Sequence, residues 1–599
     1  MSSSHSLQAA YQSFQAGNLQ QARQQIRACI AASSGANELH LGGVIEKAAG
    51  DFEQAANWLR QAAAMAPTNA EILNTLGIVE TRLGNTVAAE SSYRSALKAA
   101  PSFVPALLNL AHHLAQSASG ATEAEAMARK IIQLQGKSGA GWAALGAALK
   151  SQSRFEEALS AFDQAAAQGA TDPATWQNRA GVLLELGRTR ETAEILDALA
   201  QAGIDNAALS YLRGRVHVEE GDIEAGATQM ARSWTAQTSE HALRNLASVY
   251  WMQGDTAAFD ALLEEALATQ APQLALIAVD LTRQSGRVER AAELFDSLNT
   301  EQLTAPGAQS LGALLAQETG ALETAVERAR IGITKSPDSL SARSNLIVPL
   351  LMLGDAQDAL VEIEAAQRLA PLAQDLIAYQ ATAWRMLGRT EAYERLNDME
   401  RFVIPHQLEA PEGYASMADF NAALAAELDA LRVYKAHPLD QSLRLGNQTP
   451  RDLLHETSPV IRSYFQALEK PIRAYMQAIG SDPDHPLTAR NTGRFALKGS
   501  WSVRLASGGF HVNHVHPEGW ISSAYYVEVP EGIETNADRA GWIKFGEPSF
   551  ATPVPLPAEK WVCPKPGSLV LFPSYMWHGT EPIESGATRV TAPFDVLPV

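Results

Sequence analysis

Four histidines lie in the last hundred residues of the sequence, where their spacing could create a metal site. His511, His514 and His516 occur just before the apolar run WISSAYYVEV, and His578 follows another apolar run later in the chain. In an extended segment, residues two apart point to the same side, so His514 and His516 can face one centre. We therefore predict a metal bound by His514, His516 and His578, which would also form the catalytic centre.

Three neutral imidazoles on one face of a metal leave other positions open for chemistry. Imidazole suits ferrous iron, and an octahedral iron held on one face keeps two positions for a chelating 2-oxoacid and one for dioxygen. Three histidines also form the zinc sites of hydrolytic and hydratase enzymes and the iron sites of cupin-type dioxygenases. The histidines alone leave these possibilities open.

An arginine downstream of His578 favours the oxoacid interpretation. Arg589 and Thr591 alternate in ATRVTAPFDV, so a strand there would turn both side chains to one face. The forked, permanently charged guanidinium and the neighbouring hydroxyl could bind the distal carboxylate of 2-oxoglutarate. Tyr525 and Tyr526 are adjacent on another predicted strand, so one must face inward, and we assign Tyr526 as a further contact to the oxoacid.

The elements that must position these residues are predicted to be short strands. From Trp501 onward, alternating or apolar runs are separated by Gly and Pro, as in WSVRL, WISSAYYVEV, GWIKFG, GSLVLF and TRVTAPFDV. This spacing is typical of a sandwich or jelly roll, whose open mouth lets a buried metal meet a substrate. Two amphipathic helices are predicted before the strands, at 417–434 and 458–479, with a polar, turn-rich stretch at 437–450 between them.

The first two thirds of the sequence are periodic and predicted to be helical. Nine of the 29 prolines fall in residues 1–400, and the other 20 fall in the last 199 residues. Small residues that open a turn recur at steps of 32 to 34, with one double step, at Gly17, Gly50, Gly84, Ser153, Gly187, Gly221, Gly254, Gly286, Gly320, Gly354 and Gly388. A period of this length indicates a helical repeat array.

The individual units resemble tetratricopeptide repeats. Residues 50–69 and 84–103 place Gly, Ala-Ala, an aromatic or Leu, and Pro at matching offsets. The resemblance covers residues 5–400, about eleven or twelve helix pairs, with a degenerate repeat or an insertion near residue 118. It implies a superhelix whose concave face binds an extended peptide or a partner helix, although such an array could instead only dimerise or space a second domain.

The 34-residue rhythm stops where Pro405 and Pro411 break the helical pattern. We therefore predict a repeat domain at 1–404 and a second domain at 405–599, with its barrel core at about 495–599.

The C-terminal segment from about residue 436 resembles the 2-oxoglutarate- and iron(II)-dependent oxygenases that often follow tetratricopeptide arrays. The resemblance is carried by HPLDQSLRLGNQTP, WSVRLASGGFHVNHVHPEGWISSAYYVEVP, PGSLVLFPSYMWHGTEP and RVTAPFDV. It implies a double-stranded β-helix, iron(II) on His514 and His578, 2-oxoglutarate on Arg589, dioxygen as oxidant, and hydroxylation as the reaction. The predicted fold is thus an all-α tetratricopeptide-type superhelix followed by a β-rich jelly-roll domain with flanking helices.

By analogy with prolyl and aspartyl hydroxylases that carry tetratricopeptide repeats, we expect a protein or peptide substrate recruited by the array, although a small molecule or a modified sugar is also possible. The alternative from a different class is an interaction scaffold with an inactive barrel. The presence of His514, His578 and Arg589 argues against this alternative.

The sequence departs from the wider superfamily at one ligand. His-x-Asp or His-x-Glu is usual there, whereas here His516 follows His514 at that spacing. Three arrangements are open: a three-histidine iron site, a shifted motif in which Glu518 supplies the carboxylate, or a two-histidine site completed by water. We favour the first, because His514 and His516 have the spacing of the usual pair.

Composition excludes several classes of partner and scaffold. The net charge of −19 argues against nucleic acid and anionic membrane surfaces. Cys29 and Cys563 lie in different predicted domains, so a disulfide framework is excluded. The sequence shows neither a signal-peptide pattern nor a run of about 18 apolar residues, and we predict a cytoplasmic protein.

Overall fold

The structure is a computed structural model that describes residues 3–170, 172–439, 441–584 and 586–599. The chain divides into two compact units, residues 1–212 and 213–599.

The first unit consists of helices that pack in consecutive pairs. Their bounds are α1 Ser3–Gln15, α2 Leu19–Ala32, α3 Ala36–Ala48, α4 Phe52–Met65, α5 Ala70–Arg82, α6 Thr86–Ala99, α7 Val104–Leu114, α8 Ala118–Gln135, α9 Gly139–Ser151, α10 Phe155–Ala167, α11 Pro173–Glu185 and α12 Thr189–Gln201. The next helix, α13 Ala207–Glu219, crosses the division between the units. Small residues at the contacts let paired helices approach closely: a Cβ at Gly77 would clash with the ring of Tyr93.

The second unit continues the helix pairs before the strands begin. The bounds are α14 Ile223–Ala236, α15 Glu240–Gln253, α16 Thr256–Ala268, α17 Pro272–Gln284, α18 Val288–Asp296, α19 Thr300–Thr304, α20 Ala308–Glu318, α21 Leu322–Lys335, α22 Leu340–Leu353, α23 Ala356–Leu369, α24 Gln374–Met386, α25 Thr390–Leu396, α26 Met399–Phe402, α27 Met417–Ala430 and α28 Pro459–Ile479. The helix pairs end at Phe402, beside the predicted domain boundary, which stays a prediction about where an independent domain begins.

The recurring turn residues explain the period. All eleven have positive φ, from 57° at Ser153 to 94° at Gly354. Glycine adopts this left-handed conformation at no steric cost, which is why it recurs at nearly every turn. The irregular segment predicted near residue 118 corresponds to α8, whose 18 residues make it the longest helix of the first unit among the described residues.

The strands of the second unit are antiparallel and form a jelly roll. Their bounds are β1 Ile404–Gln407, β2 Leu443–Gln448, β3 Phe495–Ser500, β4 Val503–His511, β5 Ile521–Glu528, β6 Ile543–Phe545, β7 Lys560–Val562, β8 Ser568–Pro573, β9 His578–Thr580, β10 Arg589–Thr591 and β11 Phe594–Pro598. One sheet runs β1-β8-β5-β10-β4-β2, with β11 paired to β5 and β3, and the other runs β7-β6-β9. The predicted fold class, helical repeats followed by a β-rich domain with flanking helices, is confirmed.

Two strand predictions differ from the structure. The stretch at 437–450, predicted as polar and turn-rich, contains β2, an edge strand on β4 that is bulged between Arg444 and Gly446. The bulge and the polar outer side remove the alternation by which a strand is recognised. The single strand predicted at the end of the chain is two, β10 and β11, because Pro593 cannot donate to the ladder.

Repeat helices and strands share one hydrophobic core in the second unit. Leu396 and Phe402 are buried in the same cluster as Tyr464 of α28 and Phe572 of β8. Polar contacts reinforce this packing: the Trp577 indole N–H donates to Thr382 Oγ1 of α24 at 3.0 Å. The barrel is therefore built against the last helices of the array.

A second contact joins the segment before β2 to α15. The carbonyl of Met252 accepts from the backbone N–H groups of Lys435 and Ala436 at 2.9 and 3.0 Å, and the Trp251 indole donates to the His437 carbonyl at 3.0 Å. Repeat helices thus hold the barrel at two separate places, α15 and α24.

Candidate metal centre

The three predicted histidines converge on one point. His514, His516 and His578 each offer a ring nitrogen, and these nitrogens lie within 4.8 Å of one another. The Nε2 atoms of His514 and His516 are 3.3 Å apart. The distance suits two neighbouring ligands of one metal ion, so the group can hold a metal.

Backbone pairing brings these histidines together. His514 and His578 form an antiparallel bridge, with N–H to carbonyl distances of 2.8 and 3.1 Å. Directly opposed residues carry their side chains on the same face. Gly579 allows this close approach, since a Cβ there would overlap Asn513 and lie 3.0 Å from the His511 carbonyl.

Hydrogen bonds at Nδ1 orient two of the rings. The Nδ1 atoms of His514 and His578 lie 2.8 and 2.9 Å from the carbonyls of Val512 and Met576. A carbonyl only accepts, so each Nδ1 carries the proton and each Nε2 presents its lone pair. Such support fixes both the tautomer and the direction of a metal-ligating imidazole.

A partly buried carboxylate orients the third ring. His516 Nδ1 lies 2.7 and 2.9 Å from the two carboxylate oxygens of Asp595, and the Ser522 hydroxyl donates to Asp595 at 2.7 Å. Sequence reasoning missed Asp595, although an acid between the buried Phe594 and Val596 of a strand was a usable signal. Asp595 places negative charge one imidazole away from the metal position.

A hydroxyl lies beside the converging ring nitrogens. Ser442 Oγ is 3.3 Å from His514 Nε2 and 3.0 Å from His511 Nδ1. His511, the fourth histidine of the sequence cluster, is not part of the converging group. Sequence reasoning also missed Ser442, because it precedes an edge strand in a polar stretch that carries no pattern of its own.

Burial keeps the imidazoles of His511, His514 and His578 neutral. It lowers the pKa of His514 to about 3, with the neighbouring His516 adding to the effect, and it lowers the pKa values of His578 and His511 well below the ordinary value. Neutral imidazole is the form that binds a metal, so binding near neutral pH would displace no proton from His514 or His578.

The predicted anion-binding residues line the same cavity, which has a volume of about 760 Å³. Arg589 is 2% exposed and donates through Nη1 to the Gly541 carbonyl. Its Nε and the Tyr526 hydroxyl are buried with no hydrogen-bond partner among the described residues. Thr591, also buried, lines the cavity with them.

Arg589 is a buried cation without a counterion. No carboxylate pairs with it in the part of the chain that the structure describes, and burial lowers its pKa. An unpaired buried charge is costly unless a ligand compensates it. The guanidinium lies 5.7 Å from the Tyr526 ring centroid and lines the same cavity as the histidines, so it indicates a site for an anion in that cavity.

Two other sequence candidates lie elsewhere. The Tyr525 hydroxyl donates to Asn421 of α27 at 2.6 Å, so Tyr526 is the member of the pair that faces the cavity. The carboxylate of Glu518 is at the rim, 78% exposed and 2.5 Å from Lys498 Nζ, outside the converging histidines. In this structure Glu518 pairs with a lysine.

The segment that contains this site matches a known protein family. Residues 499–595 match the family model described as "Putative 2OG-Fe(II) oxygenase". This segment is similar to that oxygenase family. The match includes the three histidines, Arg589 and Asp595, and it confirms the resemblance seen in the sequence motifs.

The helical repeats also resemble known proteins. Residues 39–170 match the model described as "Cilia and flagella-associated protein 70 middle TPR-like domain". Similar solved structures include a tetratricopeptide repeat protein from Parabacteroides merdae (18% identity, 41% of this chain and 98% of that chain, TM-score 0.36) and yeast Tom70 (11% identity, 66% and 96%, TM-score 0.38). These likenesses are too weak to support an argument about function. A search of curated proteins found no match.

Among the described residues, no helix is both long and apolar enough to cross a membrane.

The lowered histidine pKa values predict a pH dependence of stability in the metal-free protein. The unfolded chain binds protons at these histidines below about pH 6.5, whereas the folded chain does not bind one at His514 until about pH 3. The free energy of unfolding should therefore fall with acidification below about pH 6.5, with a slope that approaches about 1.4 kcal/mol per pH unit for each such histidine as the unfolded chain becomes fully protonated. Urea unfolding with a chelator at several pH values between about 5 and 7 measures this slope.

A matched pair of variants tests whether His514 contributes to this pH dependence. His514→Gln should reduce the slope by about the contribution of one histidine, whereas His241→Gln, on the exposed surface of α15, should leave the slope unchanged. Equal slopes in all three proteins would contradict the assignment.

Proposed function

We propose that this protein is an iron(II)- and 2-oxoglutarate-dependent dioxygenase that hydroxylates a polypeptide substrate. The observation that carries the proposal is one cavity that holds three converging imidazoles and an uncompensated buried arginine. Imidazoles suit ferrous iron, and the arginine supplies the anchor that a dicarboxylate needs.

The residues present fit the proposed groups. His514, His516 and His578 would hold iron through Nε2, and Arg589 would hold the distal carboxylate of 2-oxoglutarate. The two partnerless polar atoms, Arg589 Nε and Tyr526 Oη, would gain that carboxylate as a partner. When bound, iron, 2-oxoglutarate and dioxygen supply the oxidising power that hydroxylates a C–H bond and yields succinate and carbon dioxide.

The protein's own contribution is orientation and exclusion of water. Arg589 with Thr591 and Tyr526 fixes one end of the cosubstrate, and the hydrogen bonds at Nδ1 fix two rings. Ile543 and Phe572, both buried, supply apolar wall next to the histidines. A dry, preorganised site directs the oxidant to the bound substrate rather than to water or protein.

Two measurements test the proposal against a zinc enzyme and an inactive scaffold. The full chain, loaded with iron(II) without oxygen, should develop a visible absorption band when 2-oxoglutarate is added, because an iron-bound 2-oxoacid absorbs there and a zinc-bound one does not. Exposure to oxygen should then release succinate. Zinc in the purified protein with no visible band after iron loading would favour the zinc enzyme, and no metal binding at all would favour the scaffold.

Asp595 should control metal affinity. Asp595→Asn keeps the shape of the side chain but removes the charge behind His516, and loss of such support costs about 10- to 100-fold in metal affinity. Competition with a chelator measures the iron affinity directly. The control is Glu518→Gln, which should bind iron like the wild type, since Glu518 is exposed and paired with Lys498.

The same pair of variants tests the alternative ligand. If Glu518→Gln loses iron while Asp595→Asn keeps it, the third ligand is Glu518 and the three-histidine site is wrong.

A further inference from the structure

Repeat helices form one wall of the active-site cavity. The cavity that holds the three histidines is also lined by Arg283 and Gln284 at the end of α17, Gly286 in the turn, and Val288 at the start of α18. We call residues 283–288 the α17–α18 corner. All of these residues belong to the same compact unit as the barrel.

Repeat helices also hold a loop on the barrel side of the cavity. Arg385 of α24 donates through Nη1 to the Gly546 carbonyl at 2.9 Å and through Nη2 to the Pro557 carbonyl at 2.8 Å, near both ends of the segment between β6 and β7. Ser549 of this segment lines the cavity, and the next residue, Phe550, packs against Tyr379 of α24 with ring centroids 6.3 Å apart. The array therefore contributes to the cavity both directly and through this loop.

Three charged side chains at the rim, Arg283, Glu318 and Glu518, are paired, and a further one, Arg444, donates through Nη1 to the carbonyls of Gln441 and Leu443. Arg283 pairs with Asp280 at 2.9 Å and with Glu318 of α20, another lining residue, at 2.8 Å. At the barrel side Glu518 pairs with Lys498. A rim whose charges are mostly paired presents no large field of one sign, so it favours a neutral ligand over a strongly acidic or basic one.

Side-chain amides supply the remaining polarity of the rim. Gln284 Nε2 donates to Asp280 at 2.9 Å, which fixes the side chain and leaves its amide oxygen to accept an N–H group. Gln441 and Gln448 also line the cavity. Amide side chains both donate and accept, as a peptide backbone does. The cavity volume is large enough for more than a five-carbon diacid.

We propose that an uncharged, extended polypeptide segment binds between the α17–α18 corner and the barrel, and that Gln284 is a specificity-determining residue that contacts it. The inference rests on the proposed oxygenase function and names its substrate class. It makes the second half of the array part of the active site, in addition to any recruiting surface elsewhere on the repeats.

Randomised synthetic peptides test the proposal with the full-length, iron-loaded chain. Three libraries of capped peptides, with neutral, strongly positive and strongly negative net charge, are incubated with 2-oxoglutarate and oxygen. Mass spectrometry then identifies peptides that gain one oxygen atom. We expect oxidised peptides mainly in the neutral library. Gln284→Trp, which fills the wall, should reduce their yield at least about tenfold and change which sequences react.

The control is Glu289→Trp, an exposed position of α18 that does not line the cavity, which should react like the wild type. The visible band with iron and 2-oxoglutarate checks that the metal site of Gln284→Trp is intact. If that band is lost, Gln284→Ala replaces it, because alanine cannot intrude on the site, and a changed set of oxidised sequences is again expected.

The outcomes separate this inference from the proposed function. No band and no succinate from the wild-type protein would refute the oxygenase itself. Three other results would overturn the inference but not the oxygenase function. They are succinate formation with no oxidised peptide in any library, equal oxidation of all three libraries, and an unchanged set of oxidised peptides in the Gln284 variants.

Discussion

Replacing His578 with alanine is expected to abolish iron binding and succinate formation together. His578 is buried, is held by a backbone bridge to His514, and directs its Nε2 at the metal position. Removing one of three protein ligands leaves a two-histidine pair with little affinity for ferrous iron. Iron content after desalting and succinate release under oxygen measure the two losses.

Two further variants make this result interpretable. His578→Gln keeps most of the side-chain volume, so its unfolding should remain cooperative even if the alanine variant is destabilised. His241→Ala, an exposed histidine on α15, should retain full iron content and turnover. Wild-type iron content in His578→Ala would show that the metal is not held at this centre.

Replacing Arg589 with methionine is expected to separate ligand affinity from stability. The variant should bind 2-oxoglutarate about 100-fold more weakly, since a charge-assisted pair worth about 3 kcal/mol is lost. It should nevertheless fold at least as stably as the wild type, and up to about 2 kcal/mol more stably, because an unpaired buried charge is replaced by an apolar side chain of similar length. The lost hydrogen bond to Gly541 limits this gain.

Affinity and stability are measured on the same preparations. Titration of the visible band with 2-oxoglutarate gives the affinity, and urea unfolding of the metal-free protein gives the free energy of unfolding. Arg473→Met on α28 is the matched control, since that arginine is 57% exposed, forms an ion pair with the neighbouring Glu469 and lies over the ring of Phe495, away from the cavity. Unchanged 2-oxoglutarate affinity in Arg589→Met would place the oxoacid elsewhere.

Local spacing in the sequence determined much of this protein. The steps of 32 to 34 residues predicted the turns, because each turn needs a left-handed residue and glycine supplies it most easily. His514 and His516 are two residues apart, as are Arg589 and Thr591, and this spacing predicted which side chains share a face of an extended segment. These patterns report on the backbone within a few residues, which is where sequence is most informative.

Only the tertiary structure decided which distant residues complete the site. Asp595 lies behind His516 because β11 pairs with β5, and Ser442 reaches the ring nitrogen of His514 because β2 adds to the edge of β4. The α17–α18 corner, more than 200 residues before the histidines, meets the cavity because repeat helices and strands pack in one unit. Such contacts depend on packing between elements remote in sequence, and no local pattern encodes them.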